Sequence, residues 1–235
     1  GAYDDAKADF QRSIAADGAS LYAQHMLWAT HILADEGMVA GQGAMDRIDR
    51  IEATGKDANL DWTYALALQS LLSRGAWTAA EAWLQRWAVK GAGGVREGPF
   101  WRPRIALAEG ANRADVVRMA EVSLREDLRA DVLWALALAA DDAEVVSRWA
   151  DAAEQGSLEP GRSAGDRAAL AVVAKTLRAM AAVLQDPDSE EAWRGLDAAV
   201  PDPAAARSED DMAAGVMARA VHASLLDRSG RSARA

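Results

Sequence analysis

Apolar residues recur along this chain at intervals of three and four positions. Trp77, Ala80, Leu84 and Trp87 have this spacing, which places all four on one face of an α-helix. The sustained alternation of apolar and polar residues that is typical of strands is absent. The pattern therefore predicts an all-α fold with helices over residues 2–16, 20–36, 42–54, 59–74, 78–90, 100–109, 113–126, 129–140, 142–155, 164–185, 188–199 and 207–228.

Short polar residues followed three positions later by an acid predict where several helices begin. Such a pair satisfies the unbonded N–H groups of a first turn and favours the helix dipole. Glycines follow many of the predicted helices, as expected at helix C-termini. The predicted starts are Thr78 with Glu81, Asn112 with Asp115, Asp141 with Glu144, Ser163 with Asp166, Asp188 with Glu191, and Ser208 with Asp211.

The helices pair into hairpins that repeat along the chain. The second helix of each hairpin begins near residues 2, 42, 78, 113, 142 and 188, at intervals of roughly 40, 36, 35, 29 and 46 residues. Repeats of this size predict an α-solenoid of about 11–12 helices, in which each hairpin buries its apolar faces against its neighbours. We therefore predict repeats over 1–90, an irregular basic Gly-rich connection over 91–104, degenerate repeats with a C-terminal capping helix over 105–228, and a frayed tail over 229–235.

The first residues carry the clearest family signature. Gly1, Tyr3, Ala6, Phe10 and Ser13 place small and aromatic residues in the order found in the second helix of a tetratricopeptide repeat (TPR), which this segment resembles. A second match, which covers both helices of one hairpin, consists of Tyr64, Ala67, Leu68, Leu71, Gly75, Trp77, Ala80 and Leu84. The resemblance is specific over residues 1–90 and only architectural beyond them.

The resemblance implies a right-handed superhelix whose first helices line a concave groove for a peptide or partner protein. Leu27 and Ala65 stand where some TPR proteins carry polar groups that clamp a peptide carboxylate, so a chaperone-tail adaptor is not expected. The groove-facing residues that the resemblance implies are Gln24, His31, Asp35, Trp62, Gln69 and Ser73.

A second candidate contact region is the basic segment over 90–104. This segment is Gly-rich, contains aromatic residues and is basic, whereas the rest of the chain is acidic. It lacks the ending of a phosphate-binding P-loop. We predict that Arg96, Arg102 and Arg104 contact an anionic or acidic partner, with Trp101 or Phe100 as an anchor. The alternative is a long loop whose arginines pair with the acidic surface.

Composition removes several classes of chemistry. The 235 residues include no Cys and three His, which excludes disulfides and thiolate sites and leaves little for a His-based metal site. A net charge of −10 argues against nucleic acid and anionic membranes as partners. We therefore expect no cofactor, no metal and no catalytic constellation. The nine Trp residues, in an Ala-rich chain, are expected mainly to fill the core, with Trp62, Trp83 and Trp101 as candidate exceptions.

These observations favour a bacterial, non-catalytic interaction scaffold over two alternatives. One alternative is the helical sensor or regulatory domain of a larger regulator, because 52–90 also resembles repeats of bacterial ATP-dependent transcription activators. The other is a helical accessory domain of a cell-wall-acting enzyme. A homo-oligomer is compatible with any of these functions. No apolar run predicts membrane insertion, and we expect a cytoplasmic location, or a periplasmic one if a signal preceded Gly1.

Overall fold

The computed structural model describes residues 1–36, 41–53, 60–73, 75–90, 92–201 and 209–231. Over these residues the protein is all-α, with twelve helices and no strand, which confirms the predicted fold class. The helices are α1 Ala2–Ala16, α2 Leu21–Leu33, α3 Gln42–Glu52, α4 Leu60–Ser73, α5 Trp77–Lys90, α6 Ala92–Ala108, α7 Arg113–Glu126, α8 Ala130–Ala139, α9 Ala143–Ser157, α10 Ala164–Gln185, α11 Glu190–Ala199 and α12 Glu209–Arg228.

Side-chain caps fix where several helices begin. The Asn112 side chain accepts from the Ala114 N–H, and Ser163 accepts from the Asp166 N–H, as predicted. Two other caps lie one residue after the predicted position, at Asp142 and Ser189, because these side chains reach the free N–H groups of their first turns.

The remaining two predicted starts have different outcomes. Thr78 lies inside α5, which begins at Trp77, so it is not a cap. Ser208 lies outside the described residues. Ser20, which was not predicted as a cap, accepts from the Ala23 N–H at the start of α2.

The chain divides into two compact units, Gly1–Glu109 (unit 1) and Gly110–Ala235 (unit 2). In unit 1, helices pack mostly against sequence neighbours: α1 on α2, α2 on α3, α4 on α5 and α5 on α6. In addition α2 packs on α4, and α4 contacts α6. The first helices of the predicted hairpins, α2, α4 and α6, therefore contact one another in succession.

Unit 2 packs its first helices on their neighbours too, but its last helix returns to an earlier part of the unit. Beyond the pairs α7–α8, α9–α10 and α10–α11, helix α12 packs against both α10 and α8. Arg228 of α12 donates to the Ala140 carbonyl, 88 positions earlier, at 3.0 Å. This return is not the arrangement of an open stack, in which the last helix meets only the preceding repeat.

Helix α6 differs most from the sequence prediction. The irregular connection predicted over 91–104 is helical from Ala92 onward, although Pro99 and Pro103 each remove one backbone hydrogen bond. The glycines that suggested a loop allow close packing instead. A Cβ on Gly94 would lie 2.3 Å from the backbone of Trp87, so only glycine lets α6 approach α5 this closely.

The beginning of the predicted frayed tail is also ordered. Arg231 forms an ion pair with Glu190 at 3.0 Å, and its backbone N–H bonds to the Leu226 carbonyl. Gly230, with a φ of 69°, provides the left-handed turn after α12 that this bond requires. The tail beyond Arg231 lies outside the described residues.

One described helix, α10, is long and apolar enough to cross a membrane. Core helices of globular proteins meet the same criterion, and α10 packs against α8, α9, α11 and α12. It also carries Arg178, which pairs with Asp151 and Glu154 of α9. These contacts are those of a central core helix.

Candidate functional site

Helix α4 presents an outward face in unit 1 at Asp61, Ala65 and Gln69, which we call the α4 face. The three residues are spaced four positions apart, so they follow one side of the helix. Asp61 and Gln69 are exposed, and Ala65 is half-buried. Gln69, which the TPR resemblance places in a groove, is therefore exposed on this face. The side chains of Trp62 and Ser73, predicted on the same helix, lie outside the described part of the structure.

The predicted groove residues of α2 do not share one environment. Gln24 is fully buried in the core, whereas Asp35, just beyond the helix, is exposed. His31 is half-buried, and its Nδ1 lies 2.6 Å from Glu36 Oε2. Lys7 of α1 also pairs with Glu36, so His31 belongs to a polar link between the end of α2 and α1.

The predicted contact residues of α6 also separate into two environments. Arg96 and Arg102 are exposed, and Arg96 Nε pairs with Glu97 Oε1 at 3.1 Å. Trp101 is a core residue at 5% exposure, and the Arg104 guanidinium lies 5.1 Å from its ring centre. The packing interpretation thus holds for Trp101, whose ring is covered rather than presented.

Behind the α4 face, polar side chains from four helices meet around one carboxylate. We call Glu52, Tyr64, Arg86 and His25 the Glu52 cluster. Tyr64 Oη donates to Glu52 Oε1 at 2.5 Å, and Arg86 Nη2 donates to Glu52 Oε2 at 2.6 Å. Arg86 Nε donates to Tyr64 Oη at 2.7 Å, which closes a triangle of hydrogen bonds. The cluster therefore joins α3, α4 and α5 around one acid.

The fourth member of the cluster comes from α2. His25 is fully buried, and its Nε2 lies 3.8 Å from Glu52 Oε1. Lys90, at the end of α5, lies 3.4 Å from Glu52 Oε2, and Asp49 accepts a second bond from Arg86 at 2.8 Å. The Glu52 side chain is only 2% exposed, so these partners replace the water that an ionised carboxylate needs.

Aromatic rings enclose the cluster on the core side. Trp28 and Trp83 stack with ring centres 4.2 Å apart, and Tyr64 lies 4.9 Å from Trp83. The His25 ring meets both Tyr64 and Trp83 edge-on at 4.8 and 4.9 Å. Trp83, which the sequence singled out as a candidate exception to packing, is 2% exposed and lies inside this core.

The α4 face is connected to the same core through Asp61. Its Oδ1 accepts a hydrogen bond from the Trp87 indole at 2.7 Å. A Cβ on Gly93 of α6 would lie 2.0 Å from that same oxygen, so any larger residue there would require the Asp61 carboxylate to move. Asp61 therefore sets the contact of α4 with both α5 and α6.

The electrostatics of the cluster favour an ionised Glu52. Burial raises its pKa, but the neighbouring His25 ring, the hydrogen bond from Tyr64 and the charge of Arg86 outweigh burial and lower the pKa to about 2. Burial and the bond to Glu52 raise the pKa of Tyr64, so its hydroxyl keeps its proton. A general acid or base needs a pKa near the working pH and access to substrate, and the Glu52–Tyr64 pair has neither.

Several buried polar atoms near this cluster have no hydrogen-bond partner among the described residues. They are both amide atoms of Gln24, both ring nitrogens of His25 and the indole nitrogens of Trp83 and Trp101. Buried polar groups are normally paired, so unit 1 carries a destabilising cost that its aromatic packing must offset.

The Glu52 cluster as a unit is not recognisable from the sequence. Tyr64 and Trp83 are recognisable as core residues from their spacing, but Glu52 and Arg86 look like surface charges of amphipathic helices. A possible signal is that Glu52 and Arg86 occupy the second helices of consecutive hairpins. That position brings them together only if the hairpins stack.

No protein-family model, no curated protein and no solved structure matches this chain.

Proposed function

We propose that this protein is a non-catalytic interaction scaffold whose unit 1, a TPR-like stack of helical hairpins, binds a partner protein or peptide on the α4 face. One observation carries the proposal: the first helices α2, α4 and α6 contact one another in succession, as the helices lining a TPR groove do. The α4 face adds an exposed carboxylate and an exposed amide, which can bond to an extended backbone.

The ionisable side chains of the Glu52 cluster have a structural function in unit 1. Its carboxylate is buried and held by Tyr64 and Arg86, so it fixes helix positions instead of meeting a substrate. A rigid support behind an exposed face favours binding, because little ordering entropy is then lost on association.

A photo-crosslinking pair tests this proposal. We would replace Gln69 with p-benzoylphenylalanine. The same replacement at Gln85 is the matched control. Gln85 is an exposed glutamine of α5 that bonds only to Glu81 of its own helix among the described residues. Irradiation of the protein in its native host is expected to give protein adducts from position 69 and few from position 85.

A matched pair of substitutions then measures the interaction itself. Gln69→Arg should weaken binding of the crosslinked partner about tenfold, because interface centres tolerate such changes poorly, while Gln85→Arg should not. Equal crosslinking at both positions, or equal affinities of the two Arg variants, would overturn the assignment of the α4 face.

A further inference from the structure

Unit 2 contains a cavity of about 430 Å³ where the connection between α7 and α8 meets the start of α10. Its lining includes three carboxylates and two guanidiniums, which belong to Asp127, Asp131, Asp166, Arg129 and Arg162. A cavity of this size is within the range of small-molecule sites. The cavity is therefore large enough for a small ligand, and its lining presents charges of both signs.

Hydrogen bonds hold both arginines of this cavity in place. Arg129 donates through Nε and Nη2 to the two carboxylate oxygens of Asp131, at 3.2 and 3.1 Å. Arg162 donates through Nε to Glu159 Oε2 at 2.8 Å. Through Nη1 it also donates to the Leu128 carbonyl, 34 positions earlier, at 2.9 Å. The Arg162 guanidinium is therefore fixed against the connection between α7 and α8.

The second terminal nitrogen of Arg162 and the Asp127 carboxylate are available to a ligand. Nη2 of Arg162 has no hydrogen bond within the described part of the chain. It lies 3.9 Å from Asp127 Oδ1, which is too long for a hydrogen bond. The side chains of Arg162 and Asp127 are 23% and 53% exposed. A cationic donor and an anionic acceptor thus lie close together in the same cavity without being bonded to each other.

We propose that this cavity binds an α-amino acid with an apolar side chain. The ligand carboxylate accepts from Arg162 Nη2, and the ligand ammonium donates to Asp127. Both ligand groups are attached to one carbon atom, so they match two protein groups that lie this close. The ligand side chain contacts Leu128 and Leu170, which line the same cavity.

The mixed charge of the lining selects for a ligand that carries both signs. A simple anion would meet the three carboxylates of the cavity, and a simple cation would meet its two guanidiniums. Each of these ligands therefore encounters like charge that a zwitterion can offset with its second group.

The test is a titration of the full chain with L-leucine at pH 7 and constant ionic strength, followed by the amide NMR signals of residues 127–131. Isocaproate, which is leucine without the ammonium, and isoamylamine, which is leucine without the carboxylate, are titrated in parallel. We expect saturation by leucine with a Kd of about 1 mM. Each analogue should bind about tenfold more weakly, because it loses one charge-assisted contact. The proposal is wrong if leucine does not saturate the signals, or if either analogue binds as tightly as leucine.

Two variants that each remove one carboxylate test the contact with the ligand ammonium. Asp127→Asn should weaken leucine binding about tenfold, because a charge-assisted hydrogen bond becomes a neutral one. Glu126→Gln is the control, because Glu126 is the exposed neighbour of Asp127 and does not line the cavity. Both side chains are exposed, so neither substitution should prevent folding. Equal affinities of the two variants for leucine would contradict the assignment of Asp127.

Discussion

The two units solve the same packing problem with different side chains. Unit 1 fills its core with large rings, among them Trp28, Trp83 and Trp87, which are each 2% exposed or less. Unit 2 also buries Trp134, Trp149 and Trp193, but its helices α8 and α10 contribute mainly Leu, Val and Ala, including Leu133, which is fully buried. Helical architecture alone therefore does not dictate whether a core is built from a few large groups or many small ones.

The hydrogen bonding of the indole N–H groups also differs between the two units. In unit 2 the Trp149 indole donates to Glu121 at 3.0 Å, and the Trp193 indole donates to the Pro187 carbonyl at 2.9 Å. In unit 1 the Trp87 indole is likewise bonded, to Asp61, but the indole nitrogens of Trp83 and Trp101 are buried without a partner among the described residues. Unit 1 therefore concentrates both its stabilising contacts and its unfavourable burial in few residues, and single substitutions should affect it strongly.

The largest effect is expected from Trp83→Ala. This ring contacts Trp28, Tyr64 and His25, so its removal leaves a cavity and should lower the free energy of unfolding of unit 1 by about 3–5 kcal/mol. Hydrogen exchange read by mass spectrometry should show lost protection in α2 and α4 but not in α9 and α10. An equal loss in both pairs of helices would contradict the contrast between the units.

The next largest effect is that unit 1 loses stability in acid. The pKa of Glu52 falls from 4.5 in a free side chain to about 2, so its contribution is complete above pH 4.5 and disappears as pH falls towards 2. Glu52→Gln should destabilise unit 1 by about 3 kcal/mol at pH 7 and have little effect near pH 2. Urea unfolding at a series of pH values measures this difference. Glu154→Gln, at an exposed ion pair of unit 2, serves as the control and should leave the acid response of unit 1 unchanged.

Two glycine substitutions should have opposite signs in the two units. In Gly94→Ala the new Cβ would lie 2.3 Å from the α5 backbone, so unit 1 should lose about 1–3 kcal/mol. In Gly195→Ala, on α11 of unit 2, the Cβ meets nothing within 4 Å, and the variant should gain about 0.5–1 kcal/mol. Thermal unfolding of both variants measures the signs. A gain of stability in Gly94→Ala would show that α6 does not depend on close contact with α5.

The smallest effect measures the free-energy cost of burying an unpaired polar side chain. Gln24 is fully buried, and its two amide atoms are unpaired among the described residues. Gln24→Met keeps the size of the side chain and removes the amide, so unit 1 should gain about 1 kcal/mol. Chemical denaturation compared with the wild type is the measurement. A loss of stability would mean that the amide has partners in the protein in solution.

Most helix positions could be predicted from sequence because local signals determine them. Apolar spacing and caps such as Asn112 and Ser163 act within one turn, and the predicted helices agree with the structure to within a few residues outside α6. Helix α6 was misjudged because Pro99 and the glycines are local helix breakers. Its helix depends on packing against α5, which is a tertiary effect.

The candidate site was less accessible to sequence reasoning. Gln69 is exposed on α4, as a contact residue must be, whereas Gln24 and Trp101, expected at contact surfaces, are buried. A polar side chain near a helix end looks solvent-facing unless the neighbouring helices are known. The Glu52 cluster draws on residues from α2 to α5, and no local pattern reports such an assembly.

The return of α12 onto α8 has a consequence for synthesis in the cell. The contact between Arg228 and Ala140 joins residues 88 positions apart, so α8 leaves the ribosome well before its last packing partner exists. At elongation rates of about 5–20 residues per second, that delay lasts several seconds or more. During this interval the part of α8 that packs against α12 stays uncovered. Unit 2 can therefore complete its fold only after α12 has been synthesised.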